Sequence, residues 1–332
     1  MFSKKVLAIA FILFTMECGN LEAQVGLNKL AQSTMNFQLV SISPIASALG
    51  EAYYAVGTGA DAIFYNPAGM AEMTTTSDVS LDYTQWIADI NYYGGAFSWN
   101  LGNYGVVGVS ALTVDYGTIY ATSLDIHKGY VDNGVMQNIG AYSFGLSYAK
   151  AISTQFMVGV NMRYVGQNLG ENTFADGTSV KNDATKLVFD LGVKYYTAFK
   201  DFRFGMTIRN FSSDIKREQI SEQLPLTFTV GGALDLMDFF DENHDKGTSL
   251  TFSTDYLHPN NYSERVNMGL EYRLLNLLAL RGGYQTNRDI QSWSAGVGFN
   301  ANVGGTVWEV NYSYSKMDVF SNVNRFSLGV MF

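Results

Sequence analysis

The chain has 332 residues and a formal net charge of −9, and 15% of its residues are charged, against about 25% in ordinary soluble domains. Its 33 Gly, 21 Tyr and 22 Phe with only 4 Pro leave two classes open, a soluble all-β protein or a membrane barrel. No basic tract could follow a phosphate backbone, which argues against nucleic acid as a partner.

Residues 1–23 read as an export signal: Lys4 and Lys5 precede the apolar run Val6 to Phe14, and Leu21-Glu22-Ala23 places a small residue at the cut. The single cysteine, Cys18, lies inside this stretch. Acylation there would make the chain a lipoprotein, but Glu17 occupies a position where small residues are usual, so ordinary cleavage before Gln24 is the expectation. The mature chain then has no cysteine, and an exported protein without disulfides needs an extensive hydrogen-bonded sheet.

Residues 24–76 are expected to form an N-terminal plug. The stretch 43–73, SPIASALGEAYYAVGTGADAIFYNPAGMAEM, is the long passage that does not alternate apolar and polar residues, and it contains the corner Asn66-Pro67-Ala68-Gly69. Pro67 fixes its own φ and biases Asn66 towards extended backbone, and Gly69 is expected to supply a left-handed turn. These four residues are the candidate hinge or gate of the plug; the plainer reading is a turn that delivers the chain into the first strand.

From Ser77 to Phe332 the period is two. Phe326, Leu328, Val330 and Phe332 alternate with Arg325, Ser327, Gly329 and Met331; Phe202, Phe204, Met206 and Ile208 alternate with Arg203, Gly205, Thr207 and Arg209. Segments of about ten residues with one apolar and one polar face are the signature of strands between lipid and a polar lumen. A soluble sandwich would carry charge on its outward face, whereas here that face is almost charge-free. No later segment is long and apolar enough for a membrane helix, and only a closed barrel satisfies every strand in lipid.

The expected fold is therefore a transmembrane antiparallel β-barrel of about fourteen strands over 77–332. Tight connections at 101–103, 152–153, 198–199, 275–276 and 303–304 belong on the periplasmic side, and the polar stretches 116–137, 170–183 and 211–223 on the cell surface. The long connection 237–247 falls on the tight-turn side.

Phe37, Leu39, the small residues of 46–50, Gly57, Ala60-Asp61-Ala62, Tyr65-Asn66-Pro67-Ala68-Gly69 and Gln85-Trp86-Ile87-Ala88-Asp89-Ile90 together resemble the PorV/PorQ family. That family is similar to the FadL-like class of fourteen-stranded outer-membrane barrels with a luminal plug. The resemblance implies a role in type IX secretion, with exported cargo, the translocon or the surface-attachment machinery as partners beside outer-membrane lipid. The Asn-Pro-Ala triplet is shared with fatty-acid transporters of the class, so the alternative is a transporter of hydrophobic compounds. The chain is shorter than PorV proper and has Gly69-Met70-Ala71 after the triplet, which leaves a PorQ-like role open.

Trp86, Ile87 and Asp89 are candidates for surface contact with cargo; the plainer reading puts Trp86 in the aromatic girdle at the membrane interface. Arg163, Asp190, Lys194, Arg203, Arg209, Glu271, Arg273, Arg281 and Glu309 are expected to point into the lumen. They would form cross-strand pairs there or line it as a selectivity filter. Asp241, Asn243, Asp245 and Gly247 resemble a calcium loop weakly, because Lys246 and Phe252 stand where glycine and glutamate are needed. His127, His244 and His258 are scattered without HExxH or GxSxG, so no catalytic residue, cofactor or metal is expected.

Overall fold

The structure, a computed structural model, describes residues 33–332 apart from 126, 128, 174–177, 218–219, 241–246 and 289. The signal at 1–23, with Lys4, Lys5 and Cys18, lies outside the described residues. So do 24–32, His244 and the candidate calcium ligands Asp241, Asn243 and Asp245.

The strands are β1 (Ser77–Gln85), β2 (Asn91–Asn100), β3 (Val106–Asp115), β4 (Tyr120–Asp125), β5 (Gly129–Val135), β6 (Gly140–Ala151), β7 (Phe156–Thr173), β8 (Ser179–Tyr196) and β9 (Arg203–Phe211). They continue as β10 (Ile215–Arg217), β11 (Ile220–Glu222), β12 (Thr227–Asp235), β13 (Ser249–Pro259), β14 (Arg265–Leu274), β15 (Leu278–Gln285), β16 (Gln291–Val303), β17 (Thr306–Met317) and β18 (Val323–Met331). All except β4, β5, β10 and β11 form one closed antiparallel barrel, in which β18 returns to pair with β1, Phe326 opposite Tyr83. Closure removes the free edge that lipid would leave unsatisfied.

Alternation becomes two faces of the wall. On β18 the Phe326 side chain is 49% exposed on the outside, while its neighbour Arg325 is 0% exposed inside. Trp293, Val297 and Phe299 on β16 and Met206 and Ile208 on β9 likewise face outward.

The long connections contain more structure than their polarity implies. Within 116–137, β4 pairs with β5 as a separate ribbon, and within 211–223, β10 pairs with β11. Strands β7 and β8 extend into 170–183 past a bulge between Asn168 and Glu171, where Gly170 has φ +92°. The alternation weakens there because no lipid lies beyond the membrane to demand an apolar face. The connection from β12 to β13 begins at the tight-turn end with a 3₁₀ turn, Met237–Phe239.

Residues 33–76 run through the lumen from the loop end to the tight-turn end. Ser33 bridges Gln223 beside the loop end, and Asn100 Nδ2 donates to Met73 O (3.1 Å) at the other. The segment holds 3₁₀ turns at Asn36–Leu39, Asp61–Phe64 and Pro67–Glu72 and one short helix, α1 (Pro44–Ala48). Ser43 caps α1 and Pro44 opens it, the arrangement that orphan N-terminal amides favour. Its small residues let it press on the wall: Ser294 Oγ donates to Ser47 O (2.6 Å), and Ser47 Oγ lies 2.9 Å from Ser315 Oγ.

Candidate functional site

The site is the interface between this luminal segment and the inner wall. Asn66 is fully buried, with extended backbone (φ −130°, ψ 100°) before Pro67. Its Nδ2 donates to Tyr54 O (2.8 Å) and to Val193 O of β8 (3.1 Å), and its Oδ1 accepts from Ala68 N (3.2 Å). One amide thus ties the corner to the segment above it, to the wall and to its own turn. Pro67, Ala68 and Gly69 are buried with it. The wall makes room: a side chain at Gly192 would overlap Asn66 Oδ1, and one at Gly159 would overlap Pro67 and Ala68.

The expectation for Gly69 is corrected. It sits inside the 3₁₀ turn and is absent from the positive-φ residues; the missing side chain serves a close approach to the Gly57 carbonyl and Ala62 instead.

Trp86 is not a girdle residue. Its ring is half-buried against the inner cluster that includes Phe37 and Ile42, edge-on to Tyr92 at 6.4 Å, with the Arg325 guanidinium 5.5 Å from its centre. The parity of β1 explains this: Thr84 points inward and donates to Ile42 O (3.2 Å), so the residue two further on points inward too. Ile87 is half-buried, and Asp89 is exposed at the loop end.

The predicted lumen charges separate into three groups. Arg163 clasps Asp190 through Nε (2.7 Å) and Nη2 (2.8 Å) and also donates to Gln38 Oε1 (3.0 Å) and Asn210 Oδ1 (2.6 Å). Arg209 donates to Tyr54 Oη (2.8 Å) on the luminal segment. Lower down, Lys194 has no exposed side-chain surface; it pairs with Glu72 of the luminal segment and donates to Gly57 O (3.0 Å). Lys194, expected to pair across strands or to line a selectivity filter, instead takes its counter-charge from the luminal segment.

At the tight-turn end Glu271 takes both Arg281 Nε (2.6 Å) and Arg273 Nη2 (2.9 Å). Arg203 pairs with Asp201. Glu309 faces the same cavity without joining a pair among the described residues.

Sequence reasoning missed several anchors. Arg325 is fully buried without a carboxylate and donates to Ser41 O (2.8 Å), Ser47 Oγ (2.7 Å) and Ser315 Oγ (2.9 Å). Asp255 Oδ2 accepts from Tyr54 N (3.0 Å), and Asp78 Oδ2 from Ala60 N (2.8 Å). Asp61 accepts from Ser43 Oγ (2.7 Å), and burial pushes its carboxyl up to about 6, with the charges of Glu309 and Asp78 adding. Their signal was parity: each wall anchor stands on the polar face of its strand.

The segment divides the lumen. On the loop side a space of about 60 Å³ remains, lined by Gln38, Ile42, Leu112, Arg209 and Arg265 among others. On the tight-turn side lies a cavity of about 460 Å³, lined by charged and apolar side chains alike. Among the described residues, no cluster of His, Cys, Asp and Glu is arranged to hold a metal.

The solved structures that share the fold include the following three. The CymD monoaromatic hydrocarbon channel matches at 13% identity and TM-score 0.55, covering 88% of this chain and 97% of that one. A Pseudomonas aeruginosa FadL homologue matches at 12% and 0.56, covering 88% and 98%. The Pseudomonas putida toluene transporter TodX matches at 12% and 0.58, covering 87% and 96%. No curated protein matches the chain. The architecture is that of a FadL-like outer-membrane barrel, and in such barrels the tight turns are periplasmic and the long loops extracellular. The family model for type IX secretion system protein PorV matches residues 25–260, and the chain therefore belongs to the PorV family.

Proposed function

We propose that this barrel is a non-enzymatic accessory of type IX secretion that binds or shuttles exported cargo, or docks the machinery that attaches cargo to the surface. The family match carries the reading. The interior supports it: the luminal segment is tied to the wall at many points, and the space on its outer side is about 60 Å³, well below the roughly 300–1,000 Å³ of ordinary small-molecule sites. A filled barrel leaves its outer mouth as the working surface. There the β4–β5 and β10–β11 ribbons carry the exposed side chains of Tyr120, Tyr130 and Ile220, and Asp89 lies at the same end in the first surface turn.

In this reading the plug is fixed over its described residues, 33–76, with Asn66 to Gly69 its anchoring corner. Ile87 and Asp89 would meet the partner, while Trp86 holds the rim from inside. Transport of hydrophobic compounds, the alternative that the fold likeness raises, fits less well with Arg163, Asp190 and Arg209 around the outer chamber.

Deleting the gene is expected to reduce surface attachment of cargo, and crosslinking in the native outer membrane to recover secretion components. Normal attachment together with no crosslinked partner would refute the reading.

A further inference from the structure

The periplasmic cavity has two poles of opposite charge. Asp61, Asp78 and Glu309 line one side, each within electrostatic reach of another. Their contacts among the described residues are to neutral donors: Ser43 Oγ for Asp61 and Ala60 N for Asp78. Among the described residues none of the three forms a direct ion pair, although Arg273 lies within electrostatic reach of Glu309. Asp61 is 9% exposed; its Oδ1 accepts no hydrogen bond of ordinary length, although the Tyr53 hydroxyl lies beside the carboxylate.

On the other side Arg273 and Arg281 share the single carboxylate of Glu271, which leaves one positive charge in excess. Beside them Ser253 is 1% exposed, lines the cavity and has no partner for Oγ.

A buried carboxylate left without a counter-charge is unfavourable, and three facing one cavity call for a cationic group. Arg281 Nη1 reaches Asn311 Oδ1 (2.8 Å) on β17, the strand that carries Glu309. The guanidinium thus stands two residues along β17 from Glu309, about 7 Å, and the termini of a dipeptide lie up to about 7 Å apart. The cavity, about 460 Å³, is within the usual range for small ligands. Asn300, Asn302 and Ser327 on its lining can hydrogen-bond a peptide backbone, and Ile45, Leu49 and Val56 can pack against small side chains.

We propose that this cavity binds a zwitterion of dipeptide size from the periplasm, its ammonium group against Asp61, Asp78 and Glu309 and its carboxylate against Arg273 and Arg281. The site lies on the opposite side of the luminal segment from the outer surface assigned to cargo, so the two functions can fail separately.

The test is calorimetric titration of the full protein in detergent with alanyl-alanine, N-acetyl-alanyl-alanine and alanyl-alanine amide. The free dipeptide is expected to bind, and each blocked form to bind at least about tenfold more weakly. Glu309 joins no side-chain hydrogen bond or ion pair among the described residues, so Glu309→Gln should leave the melting temperature unchanged and remove the preference for the free amine. Arg273→Gln leaves Glu271 paired with Arg281 and should remove the preference for the free carboxylate. No binding of the free dipeptide at millimolar concentration, equal binding of the blocked forms, or undiminished binding by Glu309→Gln would each overturn the proposal.

Discussion

Replacing Asn66 with Ala tests whether the corner anchors the luminal segment. The substitution removes three hydrogen bonds, to Tyr54 O, to Val193 O and from Ala68 N. At about 1 kcal/mol for each, local opening of the segment should become easier by about 3 kcal/mol, a shift of about two powers of ten in the opening equilibrium. Asn66→Asp is the sharper variant. It keeps the acceptor that caps Ala68 but turns an oxygen towards two carbonyls, so it should loosen the segment more than Ala does. Hydrogen exchange over residues 50–72 reads this directly, with the wall amides of β16 and β17 as an internal control. Unchanged exchange in both variants, or Asp as well protected as Asn, would refute the anchoring role.

Three further outcomes follow from buried charge and close packing. The folded pKa of Asp61 is raised from its ordinary 3.8 to about 6 by burial, so the docked segment holds a proton that the undocked one has released. Docking is then firmest below about pH 4 and weakens as pH rises through 6; a pH series of proteolysis of the segment should show this window, and Asp61→Asn should reduce the change, leaving what the other buried carboxylates bonded to the segment contribute. Glu72→Gln leaves Lys194, which has no exposed side-chain surface, without its carboxylate and should cost about 3–5 kcal/mol, seen as a lower melting temperature by circular dichroism. Gly192→Ala forces a methyl group onto Asn66 Oδ1. Its effect on exchange should shrink in the Asn66→Ala background, a coupling that a double-mutant cycle measures.

The wall was legible because lipid imposes one rule on every strand: apolar residues at every second position, with turn residues between. Ser77–Gln85 through Val323–Met331 follow it, and the even strand number follows from closure. The β4–β5 and β10–β11 ribbons escaped because above the membrane that rule lapses. Trp86 was misplaced by residue type, since a tryptophan near a strand end reads as a girdle residue; the inward parity of Thr84, two residues earlier, pointed the other way.

The pairing of segment and wall was hidden for a different reason. Alternation says that Lys194 points inward but not that Glu72, more than a hundred residues earlier, meets it there. Nor does it say why Gly159, Gly192 and Gly283 stand at inward positions, where the wall has no need of flexible backbone. Each marks a place where the luminal backbone approaches so closely that a side chain would collide: Pro67 at Gly159, Asn66 at Gly192, Gly50 at Gly283. The inner face is therefore shaped as a mould of residues 43–73, and the buried Arg325 and Lys194 take partners from the luminal segment. Lifting the segment would expose an ill-packed surface and strip two buried cations of their partners. This favours a barrel that acts through its outer surface and periplasmic cavity over one that acts by clearing its axis.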